Sequence, residues 1–327
     1  MLLPPSRLLA GALLAAALAA PGASLEALKE KASQGDAQAE YELGEAYRDG
    51  TGVPKDFAEA MKCYRKAADQ NVAAAQDKIG VMFYRGEGVR KDYDAALNWW
   101  RKAADQGLAD AQNSLGFLYD QGKAVPPDPV QALAWYRKAA DQGLAGAQLN
   151  VGSMHARGQG VATNLAVAAQ WYRKAAEQGL ADAQNNLGNL YLSGQGVKRD
   201  TSEGLKWLRL AAEQDLAAAQ LNLGSVYEWG RQGVKQDYAE AYAWYSLAAS
   251  SLRGQPAWTA TNNLAGLKSL PPSEHPGRWG IAIGHLAGLE RRITVVQMRE
   301  AQKRLLELAP LIREPATKST TPQEFLP

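Results

Sequence analysis

The sequence predicts an all-α protein built as a solenoid of stacked antiparallel helix pairs. Three observations indicate this: a glycine that returns every 36 residues, an apolar stripe of helical period beside it, and helix-ending residues at fixed places in each copy. A period of about 20 to 50 residues is typical of stacked supersecondary units, because one unit cannot bury its apolar face alone. The recurring glycines are Gly44, Gly80, Gly116, Gly152, Gly188 and Gly224.

The first helix of each unit is clearest in the copy that begins at Leu180. Apolar residues at i, i+4, i+7 and i+8 place one stripe along a helix there. Gly194 and Gly196 follow, and both permit the positive φ that a tight turn between helices needs. The residues of the stripe are Ala183, Leu187, Leu190 and Tyr191.

The second helix of this copy begins after Asp200. The Asp200 carboxylate can accept hydrogen bonds from the free N–H groups of the first turn. The Glu203 side chain can accept one from the backbone N–H of Asp200, which completes a capping box. In the third copy, Pro129 occupies the first helical position, where a missing N–H costs nothing. The equivalent cap positions hold Asp56, Asp92, Asp128, Asn164 and Asp237.

The second helix also carries a recurring tryptophan and a recurring stop. The spacing predicts core positions for Trp207 and its equivalents Trp99, Trp135, Trp171 and Trp244. Each helix then ends at a residue that tolerates the left-handed region, usually followed by Leu or Val, which predicts a Schellman-type stop. The stop residues are Gly35, Asn71, Gly107, Gly143, Gly179 and Asp215.

Residues 1–23 differ in kind from the repeats and are typical of a secretory signal peptide. Arg7 precedes an unbroken apolar run over 8–20, and small residues follow. This run is shorter than the roughly 20 residues of a membrane-spanning helix, so an uncleaved anchor is the weaker alternative. We therefore expect no membrane span in the mature chain and a periplasmic or secreted location, with the cleavage point left open.

The remaining chain divides by the same pattern. Residues 24–35 match the second half of a unit and are expected to cap the stack, and 36–250 hold six units, the last with one extra residue. We expect 251–313 to hold a partial repeat, a segment made irregular over 270–292 by three prolines and four glycines, and a final helix. Thr294 and Gln297 form a capping-box pair before this helix, which should run to about Leu308, and 314–327 are expected to be disordered.

The recurring wording A-x-A-Q-x-x-L-G-x-x-Y, then G-x-G-V, then D-x-x-x-A-x-x-W-Y-x-x-A-A-x-Q-G resembles the Sel-1-like repeat family, relatives of the tetratricopeptide repeats. The resemblance covers about 215 of 327 residues. It implies a right-handed α-solenoid and an adaptor function in signalling, envelope or polysaccharide assembly, or host contact, without choosing among them. Mild departures are Ala124 for a turn glycine, His155 for an aromatic residue and Leu208 for a tyrosine.

The sequence contains no recognisable catalytic, cofactor-binding or metal-binding motif. The 36 basic and 34 acidic residues give a net charge of +2, which does not indicate a nucleic-acid surface. The paired glycines of each copy are turns between helices, because no strand precedes them. Cys63 stands in place of the recurring tryptophan and is expected to be a small buried residue, and His155 is expected to be a packing residue.

An alternative function is hydrolase or ligand-binding activity through the segment 254–292. His275, Trp279 and His285 are the only side chains there that could carry it.

Partner-binding residues are expected on the side of the first helix that faces away from its stripe. At 100° per residue, Asn185, Asn189 and Leu192 point away from Leu187. In such a solenoid this side lines a concave groove, where apolar residues would indicate the binding of a protein or peptide. Some of them could instead contact the neighbouring unit, and the sequence names neither the partner nor the oligomeric state. The candidate groove residues are Tyr41, Val81, Tyr84, Phe117, Leu149, Asn185, Asn189 and Leu221.

Overall fold

A computed structural model describes residues 23–252 and 278–312 of the chain. Every regular element in these two ranges is a helix, which confirms the all-α class. The predicted signal peptide up to residue 22, the first-helix wording at 258–265 and the predicted tail from 314 lie outside the described residues.

Fifteen α-helices and two short 3-10 turns, at Arg231–Gly233 and Ala309–Leu311, make up these ranges. Six successive helix pairs, from Ala37–Asp49 with Phe57–Asp69 to Ala217–Trp229 with Tyr238–Leu252, are each packed side by side, as in an α-solenoid. The helices belong to two compact units, unit 1 ending at Gln142 and unit 2 beginning at Gly143. The helices are α1 Ala23–Ser33, α2 Ala37–Asp49, α3 Phe57–Asp69, α4 Ala73–Arg85, α5 Tyr93–Asp105, α6 Ala109–Gln121, α7 Pro129–Asp141, α8 Ala145–Arg157, α9 Leu165–Glu177, α10 Ala181–Ser193, α11 Thr201–Ala212, α12 Ala217–Trp229, α13 Tyr238–Leu252, α14 Arg278–Glu290 and α15 Val295–Leu308.

The six predicted caps of the second helices are confirmed. Asp128, for example, accepts hydrogen bonds from the backbone N–H groups of Val130 and Gln131, both at 3.0 Å. Each cap satisfies donors that the first turn of a helix leaves without an intrahelical partner. The other five caps are Asp56, Asp92, Asn164, Asp200 and Asp237.

The predicted stops are also confirmed. Gly107 has φ of 90° and donates to the Ala104 carbonyl at 2.9 Å, while Leu108 donates to Ala103 at 3.2 Å, which is the Schellman pattern. In the turn that follows a first helix, Ala124 keeps the left-handed conformation of the glycine that it replaces, with φ of 67°. The turn geometry is therefore retained at Ala124 despite a side chain that disfavours it.

The repeated glycine of the first helix has a packing role. A Cβ atom on Gly116 would lie 2.6 Å from Cδ1 of Tyr136, so the tyrosine ring of α7 rests directly on the α6 backbone. The buried residue opposite the glycine is the one after the predicted tryptophan position, and Trp99 and Trp135 are only half-buried. The prediction of a core aromatic is therefore wrong for these two, whereas Trp171, Trp207 and Trp244 are buried. The residues opposite the six glycines are Tyr64, Trp100, Tyr136, Tyr172, Leu208 and Tyr245.

The buried glutamines of α4, α6 and α10 connect each of these first helices to the second helices before and after it. Gln106 Nε2 donates to Gln76 Oε1 at 2.8 Å, and Gln76 Nε2 donates to the Ala68 carbonyl at 3.4 Å. Because both ends of the buried amide are paired, the relay fixes the register between neighbouring helices without leaving a polar group unsatisfied. The same relay runs through Gln142, Gln112 and Ala104 in unit 1 and through Gln214, Gln184 and Ala176 in unit 2.

The chain after the last repeat adds two helices to unit 2. The expectation of an irregular segment over 270–292 is wrong for Arg278–Glu290, which form α14. Leu286 and Leu289 of α14 are fully buried in the core that α13 also lines. Such burial, at about 1.5 to 3 kcal/mol per large apolar side chain, outweighs the roughly 1 kcal/mol cost of each helical glycine. The capping box of Thr294 and Gln297 and its helix, α15, are confirmed.

Candidate partner-binding face

The candidate groove residues lie on one side of the first helices, which we call the recognition face. It comprises the positions equivalent to Asn185, Asn189 and Leu192 in each repeat. In unit 1, Tyr41 on this face is half-buried, whereas Val81, Tyr84 and Phe117 are buried.

Tyr84 and Phe117 are buried against each other rather than open to a partner. Their ring centroids are 5.8 Å apart in an edge-on arrangement, and the Tyr84 ring also lies 5.3 Å from that of Tyr93. The ammonium of Lys123 lies 5.2 to 5.6 Å from all three ring centroids and donates to the Tyr84 hydroxyl at 2.9 Å. These contacts join neighbouring repeats within unit 1, which is the alternative to partner binding that the sequence left open.

Asp77 occupies the same face of α4 and is buried. Burial raises the pKa of its carboxyl to about 7, and the negative charges of Asp110 and Glu45 add to this effect against the opposing influence of Lys78. Its Oδ1 atom has no hydrogen-bond partner among the described residues. A protonated carboxyl is therefore a substantial part of the population near neutral pH.

In unit 2 the recognition face is more polar. Leu149 is buried, whereas Asn185, Asn189 and Leu221 are half-buried. Asn185 Oδ1 accepts a hydrogen bond from Asn222 Nδ2 at 2.8 Å, and the Asn189 carboxamide bonds to no described residue. Half of the candidate residues are thus partly accessible, and their role in binding stays a proposal.

A recess of about 290 Å³ opens on this face between α10 and α12. Its apolar part consists of buried side chains, and its polar part consists of half-buried and exposed ones. The apolar residues are Leu190, Leu192 and Val226. The polar residues are Asn189, Asn222 and Ser225 on the helices and Ser193, Gln195 and Arg231 at the helix ends and turns.

Arg231 reaches the recess from the turn that the extra residue of the last repeat enlarges. The turn Arg231–Gly233 is a 3-10 helix that follows the left-handed cap Gly230. The guanidinium carbon of Arg231 lies 5.8 Å from the ring centroid of Trp229, whose exposed fraction is 48%. No carboxylate in the described ranges forms an ion pair with Arg231, so its charge faces solvent beside the recess.

His285, a candidate for catalysis, belongs to the packing of α14 on the last repeat. Its ring stacks on Tyr245 at 4.6 Å, and its Nδ1 lies 2.8 Å from Oε2 of Glu228. Glu228 is 1% exposed, and it also accepts hydrogen bonds from Arg292 and the Tyr245 hydroxyl. These contacts satisfy a buried carboxylate and give His285 a structural role. His275 and the side chain of Trp279 lie outside the described residues.

His155 and Cys63, which the sequence analysis also considered, pack inside the repeats. His155 is buried, as expected, whereas Cys63 is half-buried and packs against the small core that includes Leu43. Burial raises the pKa of the Cys63 thiol, which disfavours the reactive thiolate. Within the described residues, no three His, Cys, Asp or Glu side chains are grouped as metal ligands. None of the helices that the structure describes has the length and apolar character to cross a membrane.

The chain matches a family model and solved structures. The Sel1 repeat model matches residues 37–72, 73–108, 109–144, 145–180, 181–216 and 217–251. A protective antigen present in uropathogenic Escherichia coli strains, which displays an SLR fold, is 32% identical with a TM-score of 0.73. That similarity covers 90% of this chain, which spans 60% of the length of the antigen chain. No curated protein matches.

A Sel1 repeat protein from Oxalobacter formigenes is 35% identical, with a TM-score of 0.62. The similarity covers 69% of this chain and 99% of that one. Sel1 repeat proteins generally mediate protein–protein interaction, and the fold is typically a non-enzymatic scaffold. Six consecutive matches across most of the described chain, together with this structural similarity, decide the assignment: the chain belongs to the Sel1 repeat family.

Proposed function

We propose that the chain is an exported, non-enzymatic scaffold that binds a protein partner on the recognition face of unit 2. The observation that carries this proposal is the open recess between α10 and α12, which combines an apolar part with two polar side chains, Asn189 and Arg231, that have no described hydrogen bond or ion pair. Concave sites with a few convergent polar groups are the usual form of a recognition surface.

The chemistry of the face favours a binding role over catalysis. His285 is engaged with Glu228, and the described residues around the recess contain neither a nucleophile next to a base nor a group of metal ligands. A carboxamide such as that of Asn189 both donates and accepts hydrogen bonds, which suits the backbone of a bound protein segment.

Export is supported by the apolar run at 8–20 and by the small residues that follow it. Signalling, envelope or polysaccharide assembly, and host contact all remain compatible with an exported scaffold. Mass spectrometry of the native protein should find an N-terminus between about Ala20 and Leu25, as expected of a signal peptide of this length. An intact Met1 in a soluble cytoplasmic fraction would contradict export.

The binding face can be tested by affinity capture of the full chain from envelope extract of the native organism. Asn189→Trp fills the recess with a large uncharged ring without removing a described hydrogen bond, and Lys206→Ala on the solvent side of α11 is the control. We expect the wild type and Lys206→Ala to capture the same partner and Asn189→Trp to lose it, with all three melting alike. Equal capture by Asn189→Trp would exclude this face, and the absence of any specific partner would contradict the scaffold function.

A further inference from the structure

We propose that the recess of unit 2 binds a carboxylate carried by an extended segment of the partner, with Arg231 as the anion-binding group. This inference rests on the proposed function and adds the chemistry by which the partner is recognised.

The recess is open because smaller side chains occupy the positions that hold aromatic rings in unit 1. Positions 108 residues apart are equivalent, because this distance is three periods of 36 residues, so Asn189, Leu192, Ser225 and Arg231 correspond to Val81, Tyr84, Phe117 and Lys123. In unit 1 these positions hold two packed aromatic rings with the lysine ammonium against them. In unit 2 the rings are replaced by a leucine and a serine, and a cavity of about 290 Å³ lies between the same elements.

The cations at these equivalent positions differ in their surroundings. Lys123 is hydrogen-bonded to the Tyr84 hydroxyl and surrounded by aromatic rings, so its ammonium interacts with groups of unit 1. Arg231 has the face of Trp229 on one side and no carboxylate partner in the described ranges. A guanidinium binds carboxylates through two parallel hydrogen bonds, which is the geometry that favours an acidic ligand.

A second guanidinium near Trp229, that of Arg292, has its own carboxylate partner and would not compete with Arg231 for a bound carboxylate. Arg292 lies 5.5 Å from the same ring centroid, but it is bound to the buried carboxylate of Glu228. Glu228 is in turn engaged by Tyr245 and His285, so it is not available to Arg231. Among the groups whose contacts the structure describes, the one cation that lines the recess therefore has no internal counter-ion.

The remaining lining favours a protein segment as the source of the carboxylate. The Asn189 carboxamide has no described hydrogen bond, and Asn222, from the first helix of the next repeat, also lines the recess and donates to Asn185. Leu190, Leu192 and Val226 offer an apolar surface next to these amides. A volume near 290 Å³ is at the lower limit of small-molecule pockets, and it suits one or two side chains of a bound segment.

Two phage libraries of random 12-residue peptides test the inference against the purified full chain. One library presents peptides joined to phage protein at both ends, and the other presents a free C-terminus, so the two sources of a carboxylate are distinguished. Counter-selection uses Ser225→Phe, which restores the residue of unit 1, and Arg231→Gln, which replaces an exposed side chain. Thermal melting checks that both variants fold. If Ser225→Phe does not fold, counter-selection against Arg231→Gln alone is sufficient.

We expect the peptides selective for the wild type to share an Asp, a Glu or a free C-terminus. Their synthetic forms should bind about ten-fold or more weakly when the acid is changed to its amide, and equally so when Arg231 is changed to glutamine. Selective peptides without an acid, binding that ignores Arg231→Gln, or no selective peptide at all would overturn the inference. If Arg231→Gln captures the partner from envelope extract as well as the wild type does, the scaffold proposal stands and the carboxylate inference fails.

Discussion

The contact between Gly116 and Tyr136 permits a sharp test of how the helix pairs are held together. An alanine Cβ at position 116 would lie 2.6, 2.8 and 2.9 Å from three carbons of the Tyr136 ring, where ordinary contact begins near 3.4 Å. The ring would have to move by almost 1 Å, and Tyr136 is fully buried, so α6 and α7 must separate instead.

Two opposing effects set the magnitude for Gly116→Ala. Alanine favours a helix interior over glycine by about 1 kcal/mol, whereas overpacking costs about 1 to 3 kcal/mol. Contact with three ring atoms at once places this site at the upper end of that range. We therefore expect a net loss of about 2 kcal/mol in the free energy of unfolding.

The assay is urea denaturation followed by circular dichroism, with Gly284→Ala as the matched control. Gly284 also lies inside a helix, but a Cβ there would meet no atom within 4 Å, so this variant should gain about 0.5 to 1 kcal/mol. The double variant Gly116→Ala with Tyr136→Leu should lose less stability than the two single losses added together, because the ring that the new Cβ would meet is absent. A Gly116→Ala protein as stable as the wild type would refute the packing role of the glycine.

Three further changes have expected outcomes. Trp171→Ala should lower the free energy of unfolding, measured with denaturant, by about 3 to 5 kcal/mol, and Trp135→Ala should lower it clearly less because Trp135 is only half-buried. Equal losses would show that burial does not determine the contribution of these two side chains. Ala124→Gly should raise the free energy of unfolding by about 1 kcal/mol, because it removes a side chain from a left-handed residue, and a drop in the melting temperature would contradict this. Because of the raised pKa of Asp77, the unfolded state ionises first, so the contribution of this carboxyl to the stability of the fold falls as pH rises from about 4 to about 7. Asp77→Asn should therefore exceed the wild type increasingly over this range, by up to about 4 kcal/mol above pH 7, and a gap that does not change between pH 5 and pH 8 would disprove it.

Local signals in the sequence predicted the helices and their ends, because each end depends on one or two side chains. Asp128 at a cap and Gly107 at a stop act on the backbone within four residues, so their effect can be read without knowing the tertiary structure. The helix α14 could not be predicted in this way. Its glycines argue locally against a helix, and the burial of Leu286 on a distant part of the chain outweighs them.

The candidate site was only partly predictable for a similar reason. Tyr84 and Phe117 are apolar residues on a face expected to be polar, but their rings pack against each other across two neighbouring repeats, a contact that helical periodicity does not contain. The recess arises where the side chains are small, at Ser225 and Asn189, and small polar residues carry little signal of their own. Alignment of the repeats with one another would have revealed the exchange of Phe117 for Ser225.

The glutamine relay has a mechanical consequence. Each amide joins a helix only to its immediate neighbours along the chain, so no hydrogen bond of the relay bridges distant repeats. Tension applied to one end should therefore detach the terminal helix pair while the rest still resists. Each released repeat would lengthen the tether by about 36 residues of extended chain, on the order of 120 Å. Pulled in a force spectrometer, the molecule should yield in a series of evenly spaced steps rather than in a single rupture.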